Sequence, residues 1–362
     1  MKKVTVGSGI VARLAVAAAL LFASAADAQT PSPFVPPAPP KPKILRLLAE
    51  AYAIDPRSLE DFEHATGWAV AYDSYDPSDS IAEKWREGPY DLVELSGPAL
   101  TRRIAAGSLA KLDKAKLPFS RAVQPPVAAK LAAYDTAGSY SIAYGWSAFG
   151  LLYDADKSAK RIAGAPVSWG QLLLPREAGR MADCGVALPD ARDAMFVAVW
   201  RMMGVDPAKA TLPQVKIAAN VLDRARPSLL AVGIPDVVGA LARGSACLSA
   251  GSAGEADAAA ARARDSGSKA AINFAYPREG GPMTIEAFAI PRDTATPEQA
   301  YALLDFLLRP DIEARDAKAA GLVSSEDAGQ IDALKRLTPE PVFDDRLAAA
   351  METEWKRLRA AK

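Results

Sequence analysis

The chain has little of what metal sites and imidazole-based catalysis require. It contains one histidine, His64, and two cysteines among 362 residues. A histidine-rich metal site, a zinc ribbon and a Cys-X-X-Cys motif are therefore excluded, and any Ser-His-Asp triad would have to use His64. The 43 basic and 43 acidic residues leave a formal charge of zero, and there is no basic tract. This balance argues against a nucleic acid as the main partner.

Long apolar runs are also scarce. No stretch approaches the ~18 consecutive apolar residues that a membrane span needs. Near the start, Lys2 and Lys3 precede an apolar run over residues 14–22, and Ala-Asp-Ala at residues 26–28 fits the small-x-small cleavage rule. We predict a signal peptide over residues 1–28, cleaved near Ala28, and hence an exported protein without a membrane anchor.

The next segment, residues 29–43, is rich in proline. Seven prolines fall between Pro31 and Pro42. Such a segment favours extended polyproline conformations and cannot build a core. We therefore interpret it as a tether and expect the folded part to begin near Ile44.

The two cysteines are Cys184 and Cys247. An exported protein meets an oxidising compartment, in which two cysteines favour one disulfide bond. A pair of buried free thiols is the alternative.

The first sixty residues after the tether alternate between strand and helix patterns. Short apolar strands are predicted around residues 44–49, 70–72 and 90–95. The first helix begins at Asp55-Pro56 and ends at Gly67, the second is capped by Ser78 or Asp79, and the third runs from Pro98 to Gly107. This β-α-β-α-β-α order with short loops predicts an α/β fold with a parallel, doubly wound sheet.

That topology indicates where a ligand would bind. In open α/β sheets, ligands lie beyond the carboxyl ends of the strands. Glu50 and Tyr52 follow the first predicted strand, and Ser96 follows the third. These three side chains would then face a cleft. The alternative is that Glu50 is a solvated loop acid and that Ser96 only caps its helix.

Motifs for catalysis are poor. Ser108-Leu109-Ala110-Lys111 matches Ser-x-x-Lys, but the companion Ser-Asp-Asn and Lys-Thr-Gly motifs are missing, so we interpret the match as chance. Gly-x-Ser-x-Gly, the P-loop and His-Glu-x-x-His are absent. The sequence predicts no catalytic residue.

Several blocks of sequence, in a shared order from about residue 44 to residue 358, resemble those of one known family. They lie at residues 90–93, 112–118, 144–153, 183–186 with 246–247, and 289–311. The first resembles a Tyr/Phe-Asp-Leu-Val run before a Pro-Ser turn, the second a Leu-Asp-Lys-Ser-Lys-Leu-Pro segment, and the last contains Ala-Ile-Pro and Arg-Pro-Asp. The family is that of the putrescine/spermidine-binding periplasmic proteins, the solute receptors of polyamine ABC importers.

The resemblance implies a two-lobe periplasmic-binding-protein fold (type II-like), with doubly wound parallel sheets and a hinge between the lobes. Lobe one would comprise residues 44–143 and 277–320, and lobe two residues 144–276 and 321–362. It also implies a periplasmic monomer that delivers its solute to an ABC transporter membrane permease. Cys184 and Cys247 match a cysteine pair of the family.

The expected ligand pocket departs from the family. After strand one the family has Asn-Trp-Ser-Asp-Tyr, whereas residues 49–53 here are Ala-Glu-Ala-Tyr-Ala. Two later pocket acids are kept as glutamate while their neighbouring aromatics are lost, and a later pocket tyrosine becomes Leu322. The ligand-binding candidates carried over are Glu50, Tyr52, Ser96, Asp193 (or, one residue on, Ala194), Ser252, Glu255, Thr284 and Glu286.

The acidic residues of the family's pocket are thus largely kept, while the aromatic residues that would surround a polyamine are lost. We expect Glu50, Glu255 and Glu286 to converge on a cleft, where mutual repulsion would favour a cationic guest. The predicted function is a solute-binding protein of an ABC importer for a polyamine or related cationic small molecule, without metal or cofactor. The alternatives are a receptor for a different polar solute, a sensor or interaction protein with a degenerate cleft, and a carboxylate-based hydrolase.

Overall fold

The computed structural model describes residues 43–75, 81–327, 329 and 331–360. These residues belong to one compact unit. None of the helices within them is long and apolar enough to cross a membrane. The predicted signal peptide, the tether up to Pro42 and the predicted cap residues Ser78 and Asp79 lie outside the described residues.

Helices and strands alternate along most of the described chain. The strands are β1 (Ile44–Glu50), β2 (Ala69–Tyr75), β3 (Leu92–Ser96), β4 (Ser141–Asp154), β5 (Ala187–Pro189), β6 (Ala231–Ile234), β7 (Leu248–Ser252), β8 (Ile272–Ala275), β9 (Pro282–Ala289), β10 (Val323–Ser324) and β11 (Thr338–Pro339). The helices are α1 (Pro56–Thr66), α2 (Ile81–Lys84), α3 (Gly97–Ala105), α4 (Pro125–Leu131), α5 (Ala155–Ala159), α6 (Gly170–Leu173), α7 (Pro175–Ala178), α8 (Arg192–Met202), α9 (Leu212–Ala225), α10 (Val237–Ala242), α11 (Ala253–Asp265), α12 (Pro297–Leu307), α13 (Pro310–Ala320), α14 (Ile331–Leu334) and α15 (Asp345–Ala360).

The first helix forms where the sequence predicts it. The Asp55 side chain accepts a hydrogen bond from the backbone N–H of Arg57, and Pro56 occupies the first helical position. Gly67 ends the helix at φ 71°, a left-handed conformation that glycine adopts without a steric penalty. Its N–H donates to the carbonyl of Glu63 at 2.8 Å. Glu50 ends β1 directly before the turn that leads into this helix, and its carbonyl accepts a hydrogen bond of 3.1 Å from the N–H of Ala53.

The main sheet has the order β10-β4-β9-β3-β1-β2. Strand β1 pairs in parallel with β2 and β3, which confirms the parallel arrangement predicted for the first three strands. Strand β9 then pairs antiparallel with both β3 and β4, so the complete sheet is mixed. The return of the chain at β9 brings residues some 190 positions apart in sequence, such as Ser96 and Glu286, opposite one another.

Strand β4 is long and joins two sets of partners. Residues 141–148 pair with β9, whereas residues 149–154 pair with β7 and β8. The buried Trp146 accordingly packs in the core around β3 and β9, and Leu151 packs in a different core with Trp169 and Trp200. The exact division of the chain into lobes stays a prediction.

The disulfide predicted between Cys184 and Cys247 is confirmed, with the two Cα atoms 5.6 Å apart. The bond ties the segment before β5 to the segment before β7. An adjacent bridge pairs Val186 with Leu248 in parallel. Because Cys247 is fully buried, the bond belongs to the core built on the second half of β4.

Candidate functional site

A cavity of about 410 Å³ lies at the carboxyl ends of β1 and β3. It brings together four of the predicted site residues: Glu50, Ser96, Thr284 and Glu286. The rest of its lining consists of Tyr75, Ile81, Ala99, Arg102, Ser147, Leu322 and Glu340. Two other cavities, of about 510 and 540 Å³, contain none of the predicted site residues. We therefore take the cavity at the strand ends as the candidate site.

The floor of this cavity follows from the pairing of three strands. Ser96 of β3 lies opposite Glu286 of β9, and Ser147 of β4 lies opposite Thr284 of β9. Because side chains alternate between the two faces of a strand, Thr284 and Glu286 point to the same side. The hydroxyls of Ser147 and Thr284 form a hydrogen bond of 2.7 Å. The floor is therefore a patch of hydroxyl and carboxyl groups rather than an apolar surface.

Glu286 is the most deeply placed acid in the lining. Its exposure is 6%, and its Oε2 atom has no hydrogen-bond partner among the described residues. Burial raises the pKa of this carboxyl well above its ordinary value, and the charges of Glu50, Glu94 and Glu340 add to the effect. An unpartnered carboxyl facing a cavity is the group that a guest with N–H donors would satisfy.

Glu94 lies next to Glu50 and was not among the predicted site residues. It is fully buried, and its Oε2 accepts a hydrogen bond of 2.9 Å from the backbone N–H of Glu50. Its Oε1 has no partner among the described residues. Burial, followed by the charge of Glu50, raises the pKa of Glu94 to about 8. A signal for it exists in the sequence: a glutamate between Val93 and Leu95 breaks an apolar strand.

Glu340 is the second acid that sequence reasoning missed. Its backbone is fixed, since its N–H donates to the carbonyl of Met283 at 3.0 Å and its own carbonyl accepts from the Tyr134 hydroxyl at 2.8 Å. Burial raises the pKa of Glu340 to about 7, with further contributions from the charges of Asp193 and Glu50. No sequence signal pointed to it, because it lies in an irregular segment remote in sequence from the strands it meets.

Asp193 lines a smaller neighbouring cavity of about 290 Å³, which shares Arg102 and Glu340 with the first. Its carboxylate forms an ion pair with Arg192, with 2.6 Å between Nε and Oδ1. Ala194, the other register considered, lines the same cavity. Asp193 thus lies in a cavity that shares lining residues with the acid-lined cavity, but it is not itself in the lining of the latter.

The other three predicted residues are not in the lining of either cavity. Ser252 and Glu255 cap the start of α11: the Ser252 hydroxyl accepts from the backbone N–H of Glu255 at 3.1 Å, and the Glu255 carboxylate accepts from the N–H of Ser252 at 2.7 Å. This is a capping box. Tyr52 is 82% exposed and has φ 70° in the turn after β1. The expected convergence thus unites Glu50 and Glu286, with Glu255 outside this cavity.

Comparisons with known proteins agree with this architecture. The family described as bacterial extracellular solute-binding protein matches residues 58–330. The putrescine-binding periplasmic protein PotF of Escherichia coli is 32% identical over 267 residues, which cover 72% of each chain. The putrescine-binding periplasmic protein SpuD of Pseudomonas aeruginosa is 28% identical, over 88% of this chain and 93% of that protein.

Solved structures confirm the fold class. The spermidine/putrescine ABC transporter substrate-binding protein PotD of Streptococcus pneumoniae superposes with a TM-score of 0.75 at 18% identity, over 88% of this chain and 99% of the other. The predicted two-lobe α/β fold is therefore confirmed. The chain belongs to the bacterial extracellular solute-binding protein family, which confirms the solute-binding role that the sequence predicts.

Proposed function

We propose that the protein is a periplasmic receptor that binds a polyamine or a related cationic small molecule in the cavity at the ends of β1 and β3. One observation carries this proposal: the Glu286 carboxyl is 6% exposed, lines the cavity and has an Oε2 atom without a partner among the described residues. Relatives named as putrescine-binding periplasmic proteins support the same class of ligand.

The surrounding charges favour a cation over other solutes. Glu50, Glu286 and Glu340 line one cavity, in which Arg102 is the only basic lining residue among those that the structure describes, and Glu94 is hydrogen-bonded to the backbone of Glu50. Burial, and after it the charges of neighbouring acids, raises the pKa values of Glu94, Glu286 and Glu340, since these carboxyl groups form no ion pair with a described residue. An ammonium group would form charge-assisted hydrogen bonds with the same oxygens and relieve this repulsion.

The lining differs from a cage built for long methylene chains. Among the described residues, Tyr75 is the only aromatic one in the lining, and the apolar contribution comes from Ile81, Ala99 and Leu322. Each cation–π or stacking contact is worth ~0.5–2 kcal/mol, so a site without an aromatic cage binds unsubstituted polyamines less tightly. We propose Glu50, Ser96, Thr284 and Glu286 as ligand contacts. Contacts from Asp193, Tyr52, Ser252 or Glu255 require a ligand that extends beyond this cavity.

The cellular setting is part of the proposal. The signal peptide over residues 1–28, cleaved near Ala28, would export the chain, and the tether at residues 29–43 would precede the folded receptor. We propose that the receptor is a monomer that closes about a hinge between its lobes and presents the bound solute to an ABC permease. The lobe boundaries at residues 143/144, 276/277 and 320/321 are part of this proposal.

A thermal-shift screen of the purified protein tests the proposal. The panel comprises putrescine, spermidine, agmatine, basic amino acids and amino sugars, with neutral sugars and dicarboxylates as controls. We expect stabilisation by at least one cation and by none of the controls. Glu286→Gln should remove the response, whereas Glu60→Gln, at an exposed position on α1, should retain it. A flat response to every cation by the folded protein would contradict the proposal and favour a sensor or interaction protein.

A further inference from the structure

One face of helix α3 forms a wall of the acid-lined cavity. Ser96, Ala99 and Arg102 all line it, and their spacing of three residues places them on the same side of the helix. The same cavity is lined by the acids Glu50 and Glu286, and Ser96 is paired with Glu286 between β3 and β9. The lining therefore combines acids from β1 and β9 with a hydroxyl from Ser96 and a guanidinium from α3.

No side chain of the described residues caps the backbone N–H groups at the start of α3. Ser96 is the N-cap residue, but its side chain makes no capping hydrogen bond. The first turn of a helix leaves backbone N–H groups without helical partners and carries a partial positive charge, which favours an anion. The Ser96 hydroxyl, in the cavity lining, is free to donate to the same anion.

Arg102, in the last turn of α3, contributes a cationic group to the lining of the same cavity. Its exposed side chain lines both the acid-lined cavity and the neighbouring cavity. Within the part of the chain that the structure describes, its guanidinium forms no hydrogen bond and no ion pair, whereas the nearby Arg192 is paired with Asp193 and Glu352. In a receptor for a purely cationic solute, an unpaired guanidinium in the wall would repel the ligand.

We infer that the preferred ligand is a zwitterionic amine, a small molecule that carries both ammonium and carboxylate groups. This inference rests on the proposed function, since the same cavity is the binding site. The ammonium group pairs with Glu286 and Glu50, and Glu286 is the nine-tenths buried, unpartnered acid that faces the cavity. The carboxylate lies against α3, between the Ser96 hydroxyl at its start and the Arg102 guanidinium from its last turn, which both donate to it.

The floor of the cavity suits such a ligand. The Ser147 and Thr284 hydroxyls form a hydrogen bond with each other, and each oxygen retains capacity for a further bond. A methylene chain laid on these groups would bury them without compensation, whereas a ligand with oxygen atoms of its own can bond to them. The cavity volume of about 410 Å³ lies within the usual range for small-molecule sites.

The test uses pairs of compounds, each an amine and an amino acid that differ by a single carboxylate. Ornithine differs in this way from putrescine, lysine from cadaverine and arginine from agmatine. Isothermal titration of the purified protein with all three pairs measures what the carboxylate contributes. We expect the amino acid in at least one pair to bind at least tenfold more tightly than its amine.

Three variants test whether the preference comes from the helix wall. Arg102→Gln should weaken amino-acid binding at least tenfold and strengthen amine binding slightly, because a charge that repels the amine is removed. Arg176→Gln, at an exposed arginine on α7, should leave every affinity unchanged. Glu286→Gln should weaken both members of a pair.

The outcomes separate this inference from the function on which it rests. If amines bind as tightly as or more tightly than the amino acids, or if Arg102→Gln lowers both affinities equally, the zwitterion inference is overturned while a cation receptor stands. If none of the six compounds binds and the thermal-shift panel is also flat, both are overturned.

Discussion

The backbone N–H of Glu50 donates a hydrogen bond of 2.9 Å to Oε2 of Glu94, so the two acids are held together at the end of β1. Glu94 itself is fully buried, and its second oxygen has no partner among the described residues. A carboxyl group in this position resists ionisation because both burial and the charge of Glu50 oppose it. We therefore expect Glu94 to be protonated in the ligand-free protein at neutral pH.

This arrangement predicts that stability falls as the pH rises. The pKa of Glu94 is raised to about 8 in the folded protein, above its ordinary value of 4.5. The folded state then binds more protons than the unfolded state, so this contribution is complete below pH 4.5 and is lost as the pH rises through 8. Glu94→Gln should flatten the dependence and stabilise the protein by about 1–3 kcal/mol at pH 8.

Thermal unfolding of the ligand-free protein between pH 5 and 9 measures this effect. Glu60→Gln, which alters an exposed glutamate, should follow the wild-type curve. A Glu94→Gln curve parallel to the wild-type curve would show that Glu94 is already ionised at neutral pH, contrary to our account.

The same groups predict that ligand binding releases protons. An ammonium group favours the ionised form of a carboxyl, so binding should lower the pKa values of Glu286 and Glu340, which burial raises in the free protein. Affinity should therefore increase from pH 6 to pH 8. Calorimetric titrations at pH 7 in buffers of different ionisation enthalpy should report net proton release. Identical heats in all buffers would contradict the prediction.

The disulfide should contribute to stability rather than to ligand contact. Cys184 and Cys247 enclose a sequence separation of 63 residues and lie away from the cavity lining. Replacing both with serine should cost about 2–4 kcal/mol, the usual contribution of such a bond. Urea unfolding checks the value, and dithiothreitol should shift the wild-type midpoint without affecting the double variant. Equal midpoints for the two proteins would contradict a structural role.

A close backbone contact near α11 predicts a cost for a single methyl group. A Cβ atom at Gly254 would lie 2.7 Å from the carbonyl oxygen of Gly321, which belongs to the backbone and cannot swing aside. Gly254→Ala should therefore destabilise the protein by about 1–3 kcal/mol. At Gly170 the nearest atom is the flexible end of the Leu174 side chain at 3.1 Å, so Gly170→Ala is the matched control. Similar unfolding midpoints for both variants would show that the contact relaxes freely.

Local sequence signals predicted local structure well. Asp55, Pro56 and Gly67 defined the first helix because capping, a preset φ and a left-handed residue act within a few positions. The same kind of signal explains the placement of Glu255: Ser252-Ala-Gly-Glu255 is a capping-box pattern, and in the structure these two side chains satisfy each other and the helix start.

The site itself was predictable only in part. Glu50 and Ser96 follow from the rule that ligands bind at strand ends, and Thr284 and Glu286 from the family resemblance. Glu94 and Glu340 were missed for different reasons. Glu94 is an acid inside a strand, and such an acid is assigned to the core only when its partners are known. Glu340 reaches the cavity because β11 pairs with β9, a contact between residues more than 50 positions apart.

A crystal structure of the protein with putrescine at saturating concentration tests the central claim most directly. Our account predicts an ammonium nitrogen within about 3.2 Å of a Glu286 carboxylate oxygen, inside the cavity that Glu50 also lines. Putrescine bound elsewhere, for instance beside Ser252 and Glu255, with no density between Glu50 and Glu286, would contradict it.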